Sequence, residues 1–256
     1  MNVLFLGDVV GDAGCAHVRK LLPELKRKYR ADITIANGEN SANGNGILPS
    51  SAKHLFDSGV DVITTGNHVL RRREIMEVLE RENGVLRPAN YHPDAPGSGC
   101  FLFDNMRFRL CVINLQGVVY MQPNRSPFDC IDELLAGIDT PNIIVDFHAE
   151  ATAEKICMGY YLDGKVSAVV GTHTHVPTAD ARVLPGGTGY ITDVGMCGGL
   201  NSVLGVRAEQ AVRKMRTNLP MRFDADPEDC RLSGVVLTID DKTGKCTSIE
   251  SLVQLH

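Results

Sequence analysis

"NVLFLGDVVGDAGCAHVRKLLPELKRKYRADITIANGEN", residues 2–40, decides the fold. It opens on an apolar run broken only at Gly7-Asp8. A stretch with helical spacing follows, with Val18, Leu21, Leu22 and Leu25 on one face and Lys and Arg on the other. A second apolar run then ends in "NGEN". Strand, helix and strand in this order imply parallel neighbours joined by a right-handed crossover. The pattern recurs. "SSAKHLFDSG" (50–59) predicts a helix ending at Gly59. "VDVITTGNH" (60–68) predicts a third strand, and "RRREIMEVLERENG" (71–84) a third helix that stops at Gly84.

Beyond residue 99 the pattern changes. "CFLFDNMRFRLCVINL" (100–115) reads as a hairpin turning at Asp104-Asn105. A short helix starts near Phe128, and "NIIVDFHAE" (142–150) is a buried strand. "ATAEKICMGYYLDG" (151–164) is helical, and "KVSAVVGTHTH" (165–175) is a strand. The last third reads as strands: "TGYITDVG" (188–195), "RLSGVVLTIDD" (231–241) and "CTSIESLVQL" (246–255), the last two a hairpin around "DKTGK". No repeat, low-complexity tract or dividing linker interrupts the chain. The expectation is an α/β fold in a single domain, 1–256, with two packed sheets and outer helices. The loops at 87–99, 117–127 and 195–207 are long enough to expect a function for them.

A chain of 256 residues can bury a sizeable core unaided. Its net charge of −5 argues against a binder of duplex DNA, which needs a basic face, but admits a nucleotide or a short single strand. The eight cysteines form no CxxC pair and read as reduced and mostly buried. The first residues lack a basic segment, and Asp8 interrupts their apolar run, so they read as a strand rather than a signal peptide. No apolar stretch reaches membrane-spanning length. The expected compartment is the cytoplasm, with no membrane partner.

The strand ends carry the chemistry. One ends at Asp8, the next at Glu39 and Asn40, the third at Asn67 and His68, a later one at His148, and the last at His173 and His175. Ligands of α/β sheets bind beyond the carboxyl ends of the strands. His173 and His175 face one point if their strand persists, and can still converge from a loop if it has turned. Carboxylates, amide oxygen and imidazoles together suit Fe, Mn or Zn better than Ca or Mg. The donors are too many for one tetrahedral ion. They suit two ions about 3.5–4 Å apart with a bridging carboxylate, which lower the pKa of a shared water and clamp a phosphoryl oxygen.

The ordered motifs "GDVVGDAG", "NGENSANGNG", "TGNH", "RPAN", "VINLQG", "DFHAEATAEK" and "VVGTHTHVPTAD" resemble the calcineurin-like metallophosphoesterases, and within them the bacterial YmdB-type branch. Members of that branch hydrolyse phosphodiesters, including 2′,3′-cyclic nucleotides. The resemblance runs from residue 7 to about 195 and implies a four-layer αββα sandwich with two mixed sheets. It implies that Asp8, Asn40 and His175 hold one metal, that Asn67, His148 and His173 hold the other, and that Glu39 bridges. His68 would be the general acid. The metals would be two transition-metal ions, Fe or Mn ahead of Zn. The substrate would be a small phosphodiester or cyclic nucleotide, with RNA ends as a further partner, and the enzyme a homo-oligomer. Two positions depart from the wider superfamily. Val10 stands where many members have a histidine, with Asn40 as the replacement, and Glu39 stands for a bridging Asp.

Other residues have plainer readings. Asp12 is expected to cap the first helix. Asn37 and Asn43 shape the Gly-rich loop. Asp146 is a structural polar residue, and Glu150 a helix-start carboxylate or a partner of a ligand. Arg71–Arg73 read first as a solvated helix face and second as a grip on another phosphate. Arg87 positions a neighbouring loop, and Asp193 has no assigned role. His17, His54 and His92 are helix or loop histidines, and His256 a free terminus. No GxSxG elbow, P-loop or GxGxxG fingerprint is present. Two other readings use the same donors: a nucleotide- or RNA-responsive regulator that hydrolyses slowly, and a single-strand nuclease.

Overall fold

The computed structural model describes residues 1–81 and 84–255. Along the chain run β1 (Asn2–Leu6), β2 (Asp8–Val9), α1 (Gly11–Tyr29), β3 (Ile33–Asn37), α2 (Pro49–Asp57), β4 (Val62–Thr64) and α3 (Met76–Arg81). Then come β5 (Cys100–Asp104), β6 (Arg109–Gln116), α4 (Pro127–Leu135), β7 (Ile143–His148), α5 (Thr152–Tyr161) and β8 (Ala168–Thr172). The remainder comprises β9 (Arg182–Val183), β10 (Gly189–Ile191), β11 (Met196–Gly199), α6 (Ala208–Thr217), β12 (Cys230–Ile239) and β13 (Cys246–Gln254).

One sheet has the order β2-β11-β12-β1-β3-β4, with β13 paired on β12. The other has the order β5-β6-β7-β8-β10-β9. Both are mixed: β1 is parallel to β3 and antiparallel to β12, while β6, β7, β8 and β10 run parallel between antiparallel edges. Alternation along β1 sends Val3 and Phe5 to one face and Leu4 and Leu6 to the other. Val3, Phe5, Ile33 and Ile35 join Leu110, Val112, Ile144 and Val170 in the core between the sheets. Leu4 and Leu6 pack with Val18, Leu22 and Leu25 of α1 and Leu55 of α2. On the far side Ile113, Val145 and Phe147 pack with Ile131 of α4 and Met158 of α5. Three cores between four layers make the αββα sandwich, and each such side chain contributes about 1.5–3 kcal/mol by burial. Leaving water on neither side, β1, β3, β7 and β8 are almost continuously apolar.

Several details differ from the sequence reading. Asp12 is not the cap of α1: Val10 occupies that position without a side-chain bond, and Asp12 sits inside the first turn. The third helix begins only at Met76, behind two 3₁₀ turns at Val69–Arg71 and Arg73–Ile75. It is described to Arg81; Glu82 and Asn83, ahead of the expected stop at Gly84, lie outside the described residues, as does His256. Strand β8 stops at Thr172, before both histidines. The 195–207 stretch contains β11, and α6 was not expected, because only Ala211 of that helix is buried and its apolar signal is faint. The cysteines are free, with Cys15, Cys111, Cys130, Cys197 and Cys246 buried and Cys157 exposed. No helix among the described residues is long and apolar enough to cross a membrane.

Candidate metal centre

The carboxyl ends of β3, β4, β7 and β8 deliver their side chains to one place, with Asp8 reaching it from β2. Gly66 lets them meet: a Cβ there would lie 2.1 Å from the His148 ring. His173 and His175 converge from a loop, not from a strand, with φ of 99° and 64°. Left-handed backbone at a non-glycine residue costs about 1–3 kcal/mol. Contacts on both sides hold it. The His173 N–H donates to Asp8 Oδ2 (3.1 Å), the Thr174 N–H to Asp193 Oδ2 (3.0 Å), and His175 Nδ1 meets the Leu204 carbonyl at 2.9 Å.

Four ligand atoms crowd one point. Around His148 Nε2 stand Glu39 Oε1 at 3.1 Å, Asn67 Oδ1 at 3.1 Å and His173 Nδ1 at 3.0 Å. One ring nitrogen carries at most one proton, so it can satisfy only one of the three. Ligand atoms of Glu39, His148 and His173 lie within 4.8 Å of one another. A cation among them would satisfy all four atoms, and the His148 Nδ1 contact with Thr172 Oγ1 (2.9 Å) already orients the ring for it.

A second group adjoins the first. His175 Nε2 lies 3.6 Å from Asp8 Oδ1 and 3.1 Å from the Asn40 amide nitrogen. Asp8 Oδ1 is buried without a hydrogen-bond partner, an arrangement that suits a cation ligand. Asn40 Nδ2 also lies 3.4 Å from Glu39 Oε1, so that one carboxylate oxygen faces both groups. Glu39 Oε2 turns away and accepts the His68 N–H at 2.8 Å. The residues present thus fit a pair of cations with Glu39 between them. Val10 adds no donor; its side chain fills an apolar slot against Gly198 and Gly205.

Electrostatics agree with a centre built for positive charge. Burial opposes ionisation of Asp8, yet the His175 imidazole holds its carboxyl well below the usual range. Burial likewise opposes ionisation of Glu39, and His148 outweighs it. Burial disfavours the His148 imidazolium, but the Glu39 carboxylate beside it pushes the pKa up to about 9. His173, buried next to His148, falls to about 3. Burial also lowers His68, whose Nδ1 contacts Asn40 Oδ1 at 2.8 Å and whose ring borders the cavity above the cluster.

The supporting residues were only partly expected. Lys155 and Asp193, both buried, pair at 2.8 Å. Asp193 also accepts from Thr174 N and Gly195 N, and the Gly195 carbonyl accepts the Asp8 N–H at 3.1 Å. One carboxylate therefore ties the histidine loop to the Asp8 strand. Asp146 is structural, as expected: it accepts from Thr64, Thr172 and Asn37, and burial raises its pKa to about 6. Glu150 meets His173 Nε2 at 3.0 Å. Asn37 belongs to the strand end rather than the loop, with its amide on Thr65 and His148. Asn43, at φ 52°, does shape the loop. Arg87 bonds the Pro88 and Ala95 carbonyls and so positions its loop. Leu204 and Val206, from the long 195–207 stretch for which a function was expected, line the cavity, whereas its wall at residues 221–227 was not foreseen.

Comparisons with known proteins point the same way. A family model described as "YmdB-like protein" matches residues 4–252. A Bacillus subtilis protein, 2′,3′-cyclic-nucleotide 2′-phosphodiesterase, is 47% identical over 255 residues, covering 99% of this chain and 97% of that protein. A crystal structure of a phosphatase from Mycoplasma pneumoniae superposes with a TM-score of 0.94 at 36% identity, covering 100% of this chain and 93% of the other. A Staphylococcus aureus structure described as a 5′-nucleotidase shares the fold, with a TM-score of 0.60 at 18% identity over 98% of this chain and 54% of the other.

Proposed function

The chain belongs to the YmdB-like family, and from that premise we propose that it is a metal-dependent phosphodiesterase acting on 2′,3′-cyclic nucleotides. The observation that carries this reading is the crowding of Glu39, Asn67 and His173 around His148 Nε2, beside the unpartnered Asp8 Oδ1. Asn67, His148 and His173 would hold one divalent ion and Asp8, Asn40 and His175 the other, with Glu39 shared between them. Iron or manganese suits this mixed donor set. When bound, such a pair supplies Lewis acidity and an activated water to phosphate-ester chemistry.

The protein's own residues do the rest. Asn40 Oδ1 faces His68 Nδ1 at 2.8 Å and its NH₂ faces His175. To hold a metal through its oxygen the amide would turn over, and its NH₂ would then donate to His68 Nδ1. That leaves the proton on His68 Nε2, toward the cavity, where it passes to the ribose O2′ as the P–O2′ bond breaks. Glu39 is kept in its bridging orientation by the His68 N–H, so the acid and the bridge are set by one residue's two ends. Asp193 holds the His173–His175 loop against the strand that carries Asp8. The ligands come from both sheets and the cavity wall from Leu204, Val206 and residues 221–227, which supports the reading of 1–256 as a single domain.

The test is hydrolysis of 2′,3′-cyclic AMP by protein reloaded with Fe or Mn, followed by ³¹P NMR. The expected product is the 3′-monophosphate alone, formed only with metal present. Metal-loaded protein that leaves the ester intact would refute the reading.

A further inference from the structure

Resting on the phosphodiesterase reading above, we propose that the substrate is the 3′ end of an RNA strand closed as a 2′,3′-cyclic phosphate. Arg71 and Arg72 would receive the phosphate on the 5′ side of its terminal ribose. The cavity over the cluster encloses about 1000 Å³, the top of the roughly 300–1,000 Å³ range of ligand pockets. One base, one ribose and one phosphate leave much of that space unfilled.

His68 gives the direction. It protonates the leaving ribose oxygen, so the ribose and whatever extends from it lie along the wall that begins at His68. The next side chains lining that wall are Arg71 and Arg72, across one 3₁₀ turn. Among the described residues neither forms an ion pair, although Arg107, Arg109 and Arg125 do. Arg72 is also held in place. Its Nε donates to the Asn45 carbonyl at 3.1 Å, and its stem crosses Gly46, where a Cβ would come 2.7 Å from Arg72 Cγ. Its terminal nitrogens are left for a ligand, and a planar guanidinium matches phosphate oxygens.

The same cavity offers an aromatic face. Phe223 lines the cavity and is 45% exposed, as a stacking platform for a base must be. It is set there by Ala225, which lies against Gly11 and Gly44 and bridges to Val206. The acidic neighbours limit what enters. Asp224 is engaged by Gln210, but Asp12 and Asp226 also face the cavity. With Arg222 also on the lining, the mixed charge accommodates a strand end with one phosphate at Arg71 and Arg72.

The phosphate at O5′ could be a terminal monoester or the internucleotide link, so the test compares three substrates: A>p, pA>p and ApA>p, where >p is the cyclic ester. Metal-loaded wild type is expected to prefer ApA>p to A>p by at least tenfold in kcat/KM, with pA>p between them. The advantage of ApA>p should shrink as salt rises. In R71A/R72A the preference should fall toward unity, and R71K/R72K should restore part of it. F223A should cut the gain of ApA>p over pA>p. Turnover of A>p with no gain from either added group overturns the inference and leaves the phosphodiesterase reading standing. A gain confined to pA>p overturns the strand, and a gain that survives R71A/R72A overturns the arginine assignment. Failure to open any of the three esters refutes the phosphodiesterase reading, and the inference with it.

Discussion

His148 and His173 meet with their ring planes 72° apart and centroids 4.8 Å apart, and His148 Nε2 lies only 3.0 Å from His173 Nδ1. Two imidazoles, a carboxylate and an amide at such separations need a shared cation to satisfy their lone pairs. Metal should therefore support the fold as well as the reaction. A ligand present at a thousandfold excess over its Kd stabilises by about 4 kcal/mol. In a chain of this size each kcal/mol is worth roughly 2–4 °C. Chelation should lower Tm by on the order of 10 °C, and readdition of Mn or Fe should restore it; calorimetry with no shift in either direction would refute this.

In the proposed reaction His68 acts on the leaving group and does not hold metal. Its backbone N–H supports Glu39 and survives substitution. His68→Ala should lower kcat on a cyclic nucleotide by about 10²–10⁴-fold while metal content stays at the wild-type level. A p-nitrophenyl ester, whose leaving oxygen needs no proton, should suffer far less. Equal losses on both substrates would remove His68 from the acid role.

The Lys155–Asp193 pair is buried on both sides, and removing one partner of such a pair costs about 3–5 kcal/mol. Lys155→Met should lower Tm accordingly. Asp193→Asn keeps the acceptor for one backbone N–H but loses the charge and the second acceptor oxygen. It should loosen the histidine loop, weakening metal affinity more than Lys155→Met does at equal Tm loss. Isothermal titration with Mn on both variants measures this.

The metal-free protein should show a pH signature at His148. Its folded pKa of about 9 stands above the unfolded value near 6.5. The stability it contributes is thus fully present below pH 6.5 and is lost as pH rises through 9. The advantage of metal-free wild type over His148→Asn should shrink between pH 6.5 and pH 9.5 in urea titrations. Metal loading should abolish that trend, because a bound imidazole has no proton to lose there.

Much of this was readable from the chain. Asp8, Glu39, Asn67, His148 and His173 stand at or just beyond strand ends, and the first three of these ends follow from apolar runs that stop at glycine. The β7-α5-β8 unit follows from the same alternation, but the order of the six strands around it and the short β9 do not. What escaped was whatever depends on contacts distant in sequence. The α6 helix buries only Ala211, so its pattern carries almost no apolar stripe. The wall at 221–227 is held by Ala225 against Gly11 and Gly44, a match of small residues with no local signature. Asp193 could not be placed because its partner, Lys155, looks like a solvated helix residue until the fold buries it. The left-handed backbone of His173 and His175 is equally invisible in "GTHTH", since long-range bonds to Asp8 and Leu204 sustain it.

The most direct measurement is metal stoichiometry on anaerobically prepared protein reloaded with Fe and Mn, for wild type, Asn67→Ala and His175→Ala. The account predicts about two ions per chain in wild type and about one in each variant, the remaining ion sitting in the untouched half of the cluster. A wild type that holds a single ion, or variants that both keep two, would contradict the paired centre bridged by Glu39.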